Sequence, residues 1–184
     1  LPRVNDSHLG LEGIAWVPDS YLVARGFIDD NTRLPYDPAN YNGHGTGLFL
    51  VGLEYNGKVY AYALNHGGSS YVRIASFASG HDEVMDLSFD RDNGILWAYC
   101  DDGCNNRSNL LAIDTKAGSP TKGRFVVRQG YNRPGSMPNT NNEGIAIAPE
   151  SECADGLKGF FWADDSKKGG HALRRGTVPC GPLF

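Results

Sequence analysis

A seven-residue segment near the start of the chain recurs near its end. Residues 12–18 read EGIAWVP and residues 143–149 read EGIAIAP, and a weaker copy, MDLSFDR, occupies residues 85–91. Each copy is followed by a turn and a second apolar run. These second runs lie at residues 20–24, 95–99 and 160–163. Repetition at a spacing of roughly sixty to seventy residues is typical of a repeated all-β unit.

The repeat predicts an all-β chain of about three four-stranded units. The units are expected over about residues 9–80, 81–131 and 140–180 of a single domain that covers residues 1–184. We expect the first unit to open with a strand pair at about 11–17 and 20–26. Asn56-Gly57 between alternating apolar runs predicts a hairpin within the same unit. Sustained apolar spacing of three and four residues is absent, so helices should be minor.

Units of this kind predict a portion of a β-propeller, in which several sheets surround an axis and the first strand of each sheet lines it. A closed propeller has typically about four to eight blades. Three four-stranded blades therefore predict half of a six-bladed ring. The other half is expected upstream in a parent chain, or from a companion chain or a second copy.

The four cysteines form two local sets. Cys100 and Cys104 are one set, and Cys153 and Cys180 are the other. Metal ligation would favour Cys-x-x-Cys pairs or interleaved histidines, and that spacing is absent. We therefore predict two disulfides, with four buried free thiols as the alternative. Disulfides indicate an oxidising compartment, so the chain is expected to be secreted.

Charge and motifs exclude several functions. The chain has 17 Lys and Arg against 21 Asp and Glu, a net charge of −4, and no basic stripe. A nucleic-acid partner is therefore not expected. No apolar run approaches the ~18 residues that a membrane span requires. The sequence also has no Gly-x-Ser-x-Gly elbow, no His-Glu-x-x-His motif and no phosphate-cradling glycine loop.

Carboxylates occupy the repeated positions. Glu12 and Glu143 each stand at the start of a first strand, so in a propeller both should point toward the shared axis. Acids held close together raise each other's pKa or bind a hard cation such as Ca²⁺. The predicted ligands are Glu12, Glu83, Asp86 and Glu143, with Glu12 and Glu143 as the candidate catalytic residues. The alternative is that each glutamate accepts backbone N–H groups from the neighbouring blade and holds the ring together.

Further acids end two of the second runs, as the pairs Asp101-Asp102 and Asp164-Asp165. Asp is common at strand ends because its side chain accepts backbone N–H groups two residues further on. Turn formation is therefore the simpler interpretation of these pairs, and cation binding is the alternative.

Three basic or glycine-flanked side chains are candidates for binding a substrate. Arg25 and Arg133 could clamp an anion, and His44 lies among glycines that allow a close approach to a ligand. The long polar loops 29–45 and 133–142 are candidate binding loops, since long loops in compact domains are often functional.

The segments that carry the repeat resemble secreted phytase-like propellers, a group often labelled "esterase-like activity of phytase". The likeness extends from about Leu9 to Cys180. It rests on residues 10–15, 84–87, 97–102, 142–146 and 162–165. The resemblance implies a calcium-assisted hydrolase of phosphate or carboxylic esters, with acidic residues holding the ion over the channel mouth. The matching residue types are Glu12, Asp86 and Glu143, with Glu83 beside them. A non-catalytic extracellular binding propeller with a structural ion is the alternative.

Overall fold

The computed structural model describes Pro2 and residues 9–184, which form mainly antiparallel β-strands. The strands are β1 Leu11–Pro18, β2 Gly47–Leu53, β3 Lys58–Leu64, β4 Tyr71–Ala78, β5 Asp86–Asp90, β6 Ile95–Tyr99, β7 Ser108–Ile113, β8 Phe125–Tyr131, β9 Asn142–Ile147, β10 Leu157–Asp164 and β11 Leu173–Pro179. One short α-helix, α1, spans Asp19–Ala24. Short 3-10 turns lie at Pro38–Asn40, Glu54–Asn56, Asp102–Cys104, Glu150–Glu152 and Lys168–Gly170. The expected all-β class is confirmed.

The strands form three antiparallel sheets, ordered β1-β2-β3-β4, β5-β6-β7-β8 and β11-β10-β9. Within the described residues the first two sheets have four strands each and the third has three, in line with the expectation of about three four-stranded units. After β10 the chain contributes only β11, because residues 180–184 form no strand. Strand β11, the last of the third sheet, is seven residues long and lies at Leu173–Pro179.

The expected strand over residues 20–26 is wrong, because α1 occupies this segment. Pro18 ends β1, and Asp19 lies in the first turn of the helix, where a negative charge is favourable. Leu22, within α1, is the buried residue of this helix. The true partner of β1 is β2, with Pro18 opposite Gly47.

Strand β6 lies between two cores and is buried along its whole length. Successive side chains of a strand point to opposite faces. Leu96 and Ala98 belong to the core shared with the first sheet. Ile95, Trp97 and Tyr99 belong to the core shared with the third sheet. The second sheet is therefore packed between the other two, which explains why β6 is continuously apolar.

The first strands of the three sheets lie side by side, with β5 in contact with both β1 and β9. Gly13 lets β1 approach closely, since a Cβ at this position would lie 2.6 Å from the Leu87 nitrogen and 2.7 Å from the Asp86 Cα. On the other side, the Ile145 N–H donates to Asp86 Oδ2 at 2.6 Å. Backbone proximity and one half-buried carboxylate thus fix the spacing of these three strands.

A buried ion cluster joins the second and third sheets at the far end of β5. The Lys158 ammonium lies 2.6 Å from Asp90 Oδ2 and 2.7 Å from Glu150 Oε1, and its side chain is 1% exposed. Burial lowers the pKa of Lys158, but the two carboxylates outweigh it and raise that pKa. The Lys158 ammonium lowers the pKa of Glu150 to about 2, with help from Asn93. Lys158 is therefore a charged lysine with both partners in place.

The two predicted disulfides, Cys100–Cys104 and Cys153–Cys180, are confirmed. The first closes the turn that follows β6, and the second connects the segment before β10 to the residue after β11. Within the part of the chain that the structure describes, no helix combines the length and apolar character needed to cross a membrane.

Gly13→Ala should destabilise the fold because its methyl group would meet the backbone of β5. Overpacking of this kind costs about 1–3 kcal/mol or more, which is about 2–4 °C in melting temperature per kcal/mol for a chain of this size. Gly135→Ala is the matched control, since its Cβ would meet no atom within 4 Å. Equal melting temperatures for the two variants would contradict the close approach of β1 and β5.

Lys158→Met should lower the free energy of unfolding by about 3–5 kcal/mol, because Asp90 is left buried without its partner. Arg124→Met is the control, since it breaks an ion pair with Asp30 whose side chains are 35% and 36% exposed. Such pairs are worth at most about 1 kcal/mol. Urea unfolding of both variants measures the difference, and similar losses would contradict a structural role for the cluster.

Candidate functional site

One end of the three sheets carries a concentration of carboxylates. In each sheet the first strand begins where the second strand ends. The paired residues are Leu11 with Leu53, Asp86 with Tyr99, and Asn142 with Asp164. Acids flank all of these positions. We call this surface the acidic face; its members are Glu12, Glu54, Glu83, Asp101, Glu143 and Asp165.

The two repeated glutamates stand at equivalent irregularities in their strands. The pairing of β1 with β2 shifts register between Leu11 and Ile14, where Glu12 lies. The pairing of β9 with β10 skips Glu143. A bulge bends its strand and redirects a side chain, and bulges are frequent beside active sites. Both glutamates are exposed at this end of the sheets.

The carboxylates of different sheets repel one another electrostatically, and Glu54 shows a large effect on its pKa. Partial burial, followed by the charges of Glu12, Glu83, Asp101 and Glu143, raises the pKa of Glu54 to about 7. These charges come from all three sheets. Glu54 therefore lies at the electrostatic centre of the acidic face.

The neighbouring carboxyls respond in the same direction. Burial and the charges of Asp165, Asp101 and Glu12 raise the pKa of Glu143. Burial also raises the pKa of Glu83 and of Asp101, and Asp101 acts on Glu83 as well. The principal charges acting on these groups are other carboxylates, so a bound cation would relieve a repulsion that the chain itself leaves uncompensated.

The donor chemistry of the acidic face suits a hard cation. Carboxylate oxygens of Glu83 and Asp101 lie within 4.8 Å of each other. The Asn141 amide donates to Glu143 Oε1 at 2.8 Å and to Asp165 Oδ2 at 3.0 Å, holding these two acids together. Ca²⁺ takes six to eight oxygen ligands at about 2.3–2.6 Å, mainly from carboxylates and carbonyls. The residue types present here fit that requirement.

Asp86 has a different place from the other predicted ligands. Its Oδ1 accepts the Leu87 N–H at 2.7 Å, and its Oδ2 accepts the Ile145 N–H at 2.6 Å. Burial raises the pKa of Asp86, and these two N–H groups act in the opposite direction. The alternative interpretation, a carboxylate that joins neighbouring units through backbone N–H groups, therefore describes Asp86. Its part in holding an ion stays a prediction.

The three predicted substrate-binding residues lie at different ends of the sheets. Arg133 follows β8 and lies at the same end as the acidic face, where it donates to the carbonyls of Met137 at 3.0 Å and Asn105 at 3.2 Å. Arg25 follows α1 at the opposite end, and its guanidinium lies 5.5 Å from the Tyr21 ring centre. The third residue, His44, precedes β2 and so also lies at the opposite end.

His44 is held within a buried polar network. Its Nε2 lies 3.0 Å from Asp19 Oδ2 and 3.1 Å from the Tyr36 hydroxyl. The Tyr36 hydroxyl donates to Asp19 Oδ1 at 2.9 Å, and His44 Nδ1 contacts the Tyr41 carbonyl. This network ties the loop of residues 29–45 to the start of α1. Its use in ligand binding stays a prediction.

Glu54 is a residue of the acidic face that sequence reasoning missed. The error follows from assigning residues 20–26 as the second strand of the first unit. With β2 in that place, the second strand of every sheet ends at an acid: Glu54 after β2, Asp101 after β6 by two residues, and Asp164 in β10. The sequence signal, an acid directly after the second strand of a unit, was present at Glu54. It was missed because it follows the apolar run of β2 and not residues 20–26.

A scan against protein-family models finds no match to the chain, and a search of curated proteins finds no relative.

The raised pKa of Glu54 predicts a pH-dependent stability in the absence of divalent cations. Its pKa is about 7 in the folded chain against 4.5 ordinarily, so the folded state binds more protons between these values. The free energy of unfolding should then fall as pH rises through this window. Glu54→Gln should flatten that slope, whereas Glu152→Gln, an exposed acid at the other end of the sheets, should leave it unchanged. Melting temperatures in EDTA from pH 4 to 8 measure this pH dependence. Identical slopes for the wild type, Glu54→Gln and Glu152→Gln would contradict the raised pKa of Glu54.

Proposed function

We propose that this chain is a three-blade portion of a secreted β-propeller whose acidic face binds Ca²⁺ and that, with the ion bound, it hydrolyses a phosphate or carboxylic ester. The observation that carries this proposal is the convergence of carboxylates from all three sheets on one end. Catalysis is the second step of the proposal, and it depends on the first.

The arrangement of the sheets supports a propeller. The first strand of each sheet lies beside the first strand of the next, in chain order β1, β5 and β9. The outer strands β4 and β8 are also in contact. Sheets that follow one another around an axis in this way would direct the starts of their first strands toward a common mouth. The blades that complete a ring would come from further chain, a companion chain or a second copy.

The charge distribution supports the cation. Glu12, Glu54 and Glu143 bring acids from two sheets, and Glu83 with Asp101 adds the third. Such a cluster is costly without a counter-ion, because like charges disfavour one another's ionised forms. Glu83 and Asp101 would be the first ligands, since they are already close, and Glu12, Glu54 and Glu143 would complete the shell.

The proposed hydrolysis uses the ion and the residues that hold it. Ca²⁺ held by these carboxylates would supply Lewis-acid chemistry and help to activate water for attack on the ester. Glu12 and Glu143 would place the ion at the mouth and leave part of its shell open to substrate. Arg133, at the same end, is the candidate for orienting the anionic part of the ester.

A non-catalytic binding propeller with a structural ion is the second candidate. It is favoured by the charges around Glu54 and Glu143, which are chiefly those of other carboxylates. A phosphate ester would meet repulsion there until the cation is in place. In this candidate the loops 29–45 and 133–142 would contact the partner.

Secretion is part of both candidates. The disulfides Cys100–Cys104 and Cys153–Cys180 are of the kind that persists in oxidising compartments. Ca²⁺ is abundant outside cells, where sites of 10⁻⁴–10⁻³ M affinity are roughly sufficient.

Calcium titration of EDTA-stripped protein tests the first step. Binding only to the folded state should stabilise it by about 2.7 kcal/mol at 100 times the dissociation constant. Glu143→Gln should weaken binding on the order of tenfold, or about 1.4 kcal/mol, and Glu152→Gln should bind as the wild type does. Calorimetry measures the affinity for Ca²⁺, and melting curves measure the stabilisation. A wild-type protein that shows neither binding nor stabilisation would contradict the proposed site.

Turnover of a chromogenic phosphate ester and a chromogenic acetate ester tests the second step. The enzyme proposal expects calcium-dependent turnover that is lost in Glu143→Gln and kept in Glu152→Gln. A melting shift without turnover of either ester would contradict catalysis and support the binding scaffold.

A further inference from the structure

We infer that the Cys100–Cys104 pair, once reduced, forms a zinc site together with His81. A ring nitrogen of His81 and the two sulfur atoms all lie within 4.8 Å of one another. Ligands around a tetrahedral Zn²⁺ at bond lengths of about 2.0–2.3 Å fall within such a distance of each other. This inference does not depend on the proposed calcium site.

The cysteine spacing is not the Cys-x-x-Cys expected from sequence for metal ligation, but it lies within the wider range of structural zinc sites. Three residues separate Cys100 from Cys104, and structural zinc sites use cysteines with about two to four intervening residues. Their Cα atoms are 5.9 Å apart. His81 is far from them in sequence, and the close packing of residues 81–85 against the end of β6 brings it there: the Met85 N–H donates to the Tyr99 carbonyl at 2.9 Å.

His81 is oriented as a metal-binding histidine would be. Its ring forms a hydrogen bond with the Ala98 carbonyl, while Nε2 is buried with no hydrogen-bond partner among the described residues. Metal-binding histidines usually donate one ring N–H to a carbonyl or carboxylate and present the other nitrogen to the ion.

A fourth donor is also near. A carboxylate oxygen of Glu83 lies within 4.8 Å of Cys100 Sγ. Glu83 groups with Cys100 and Asp101 and not with His81, so the inferred site rests on two thiolates and one imidazole, which have the softness that Zn²⁺ prefers. The other disulfide has no histidine in its group, which consists of Cys153, Cys180 and Glu150. Glu150 already accepts hydrogen bonds from Lys158 and Asn93.

Zinc would bind in two steps: the Cys100–Cys104 disulfide is reduced, and Zn²⁺ then replaces the two thiol protons. A dithiol reductant supplies two electrons and two protons to the Cys100–Cys104 bond, and its own sulfurs become a disulfide. Zn²⁺ then binds the two sulfurs as thiolates, and both thiol protons leave to solvent.

Zinc titration of the full chain, with and without a phosphine reductant under anaerobic conditions, tests the inference. Stoichiometric Zn²⁺ uptake is expected only after reduction, and Co²⁺ in its place should give thiolate-to-cobalt charge-transfer absorption. His81→Gln should weaken zinc binding by at least about tenfold, the lower end of losses at perturbed metal sites. The paired substitution Cys100→Ser and Cys104→Ser should abolish it.

The matched control is the paired substitution Cys153→Ser and Cys180→Ser, which should keep reductant-dependent binding. His81→Gln keeps all four cysteines, so it tests the site even if a cysteine variant fails to fold. No uptake by the reduced wild type would overturn the inference. So would unchanged binding in His81→Gln, or binding lost only when Cys153 and Cys180 are replaced.

Discussion

The close contact of three first strands is the constraint on which the rest of the structure depends. Gly13 removes the side chain that would separate β1 from β5, and Asp86 reaches across from β5 to the backbone of β9. Because these strands are near, their starting residues are near as well. The acidic face is therefore a consequence of backbone packing. In the first copy of the repeat the Glu-Gly pair serves both purposes, because Gly13 allows the close approach and Glu12 lies on the acidic face.

The two ends of the sheets handle charge in opposite ways. At the far end, Lys158 is buried with Asp90 and Glu150 beside it, so each charge has a partner and the second and third sheets are joined. At the acidic face, Glu54 and Glu143 face other carboxylates. The carboxylates near Lys158 are thus compensated by a lysine of the chain, whereas the charges acting on Glu54 and Glu143 are mainly those of other carboxylates. The uncompensated end is thus the one where an external ion has most to contribute.

The sequence predicted the elements that depend on local pattern and missed those that depend on distant contacts. The repeat was sufficient for the all-β class and the order of the sheets along the chain, and the two local sets of cysteines were sufficient for both disulfides. Residues 20–26 were misassigned, because a short apolar run after Pro18 resembles a strand. In the structure this run belongs to α1, and Leu22 lies on the buried side of that helix. Burial of Lys158 could not be foreseen, since its buried partner Asp90 lies 68 residues away in the sequence.

The coupling of carboxylates across sheets can be measured directly by carboxyl-carbon NMR titration of the cation-free protein. Wild type and Glu12→Gln would be compared through the resonance of Glu143, whose pKa is raised above 4.5 partly by the charge of Glu12. The account predicts that removing the Glu12 charge lowers the titration midpoint of Glu143, although the two residues belong to different sheets. A Glu143 midpoint that is the same in both proteins would contradict it.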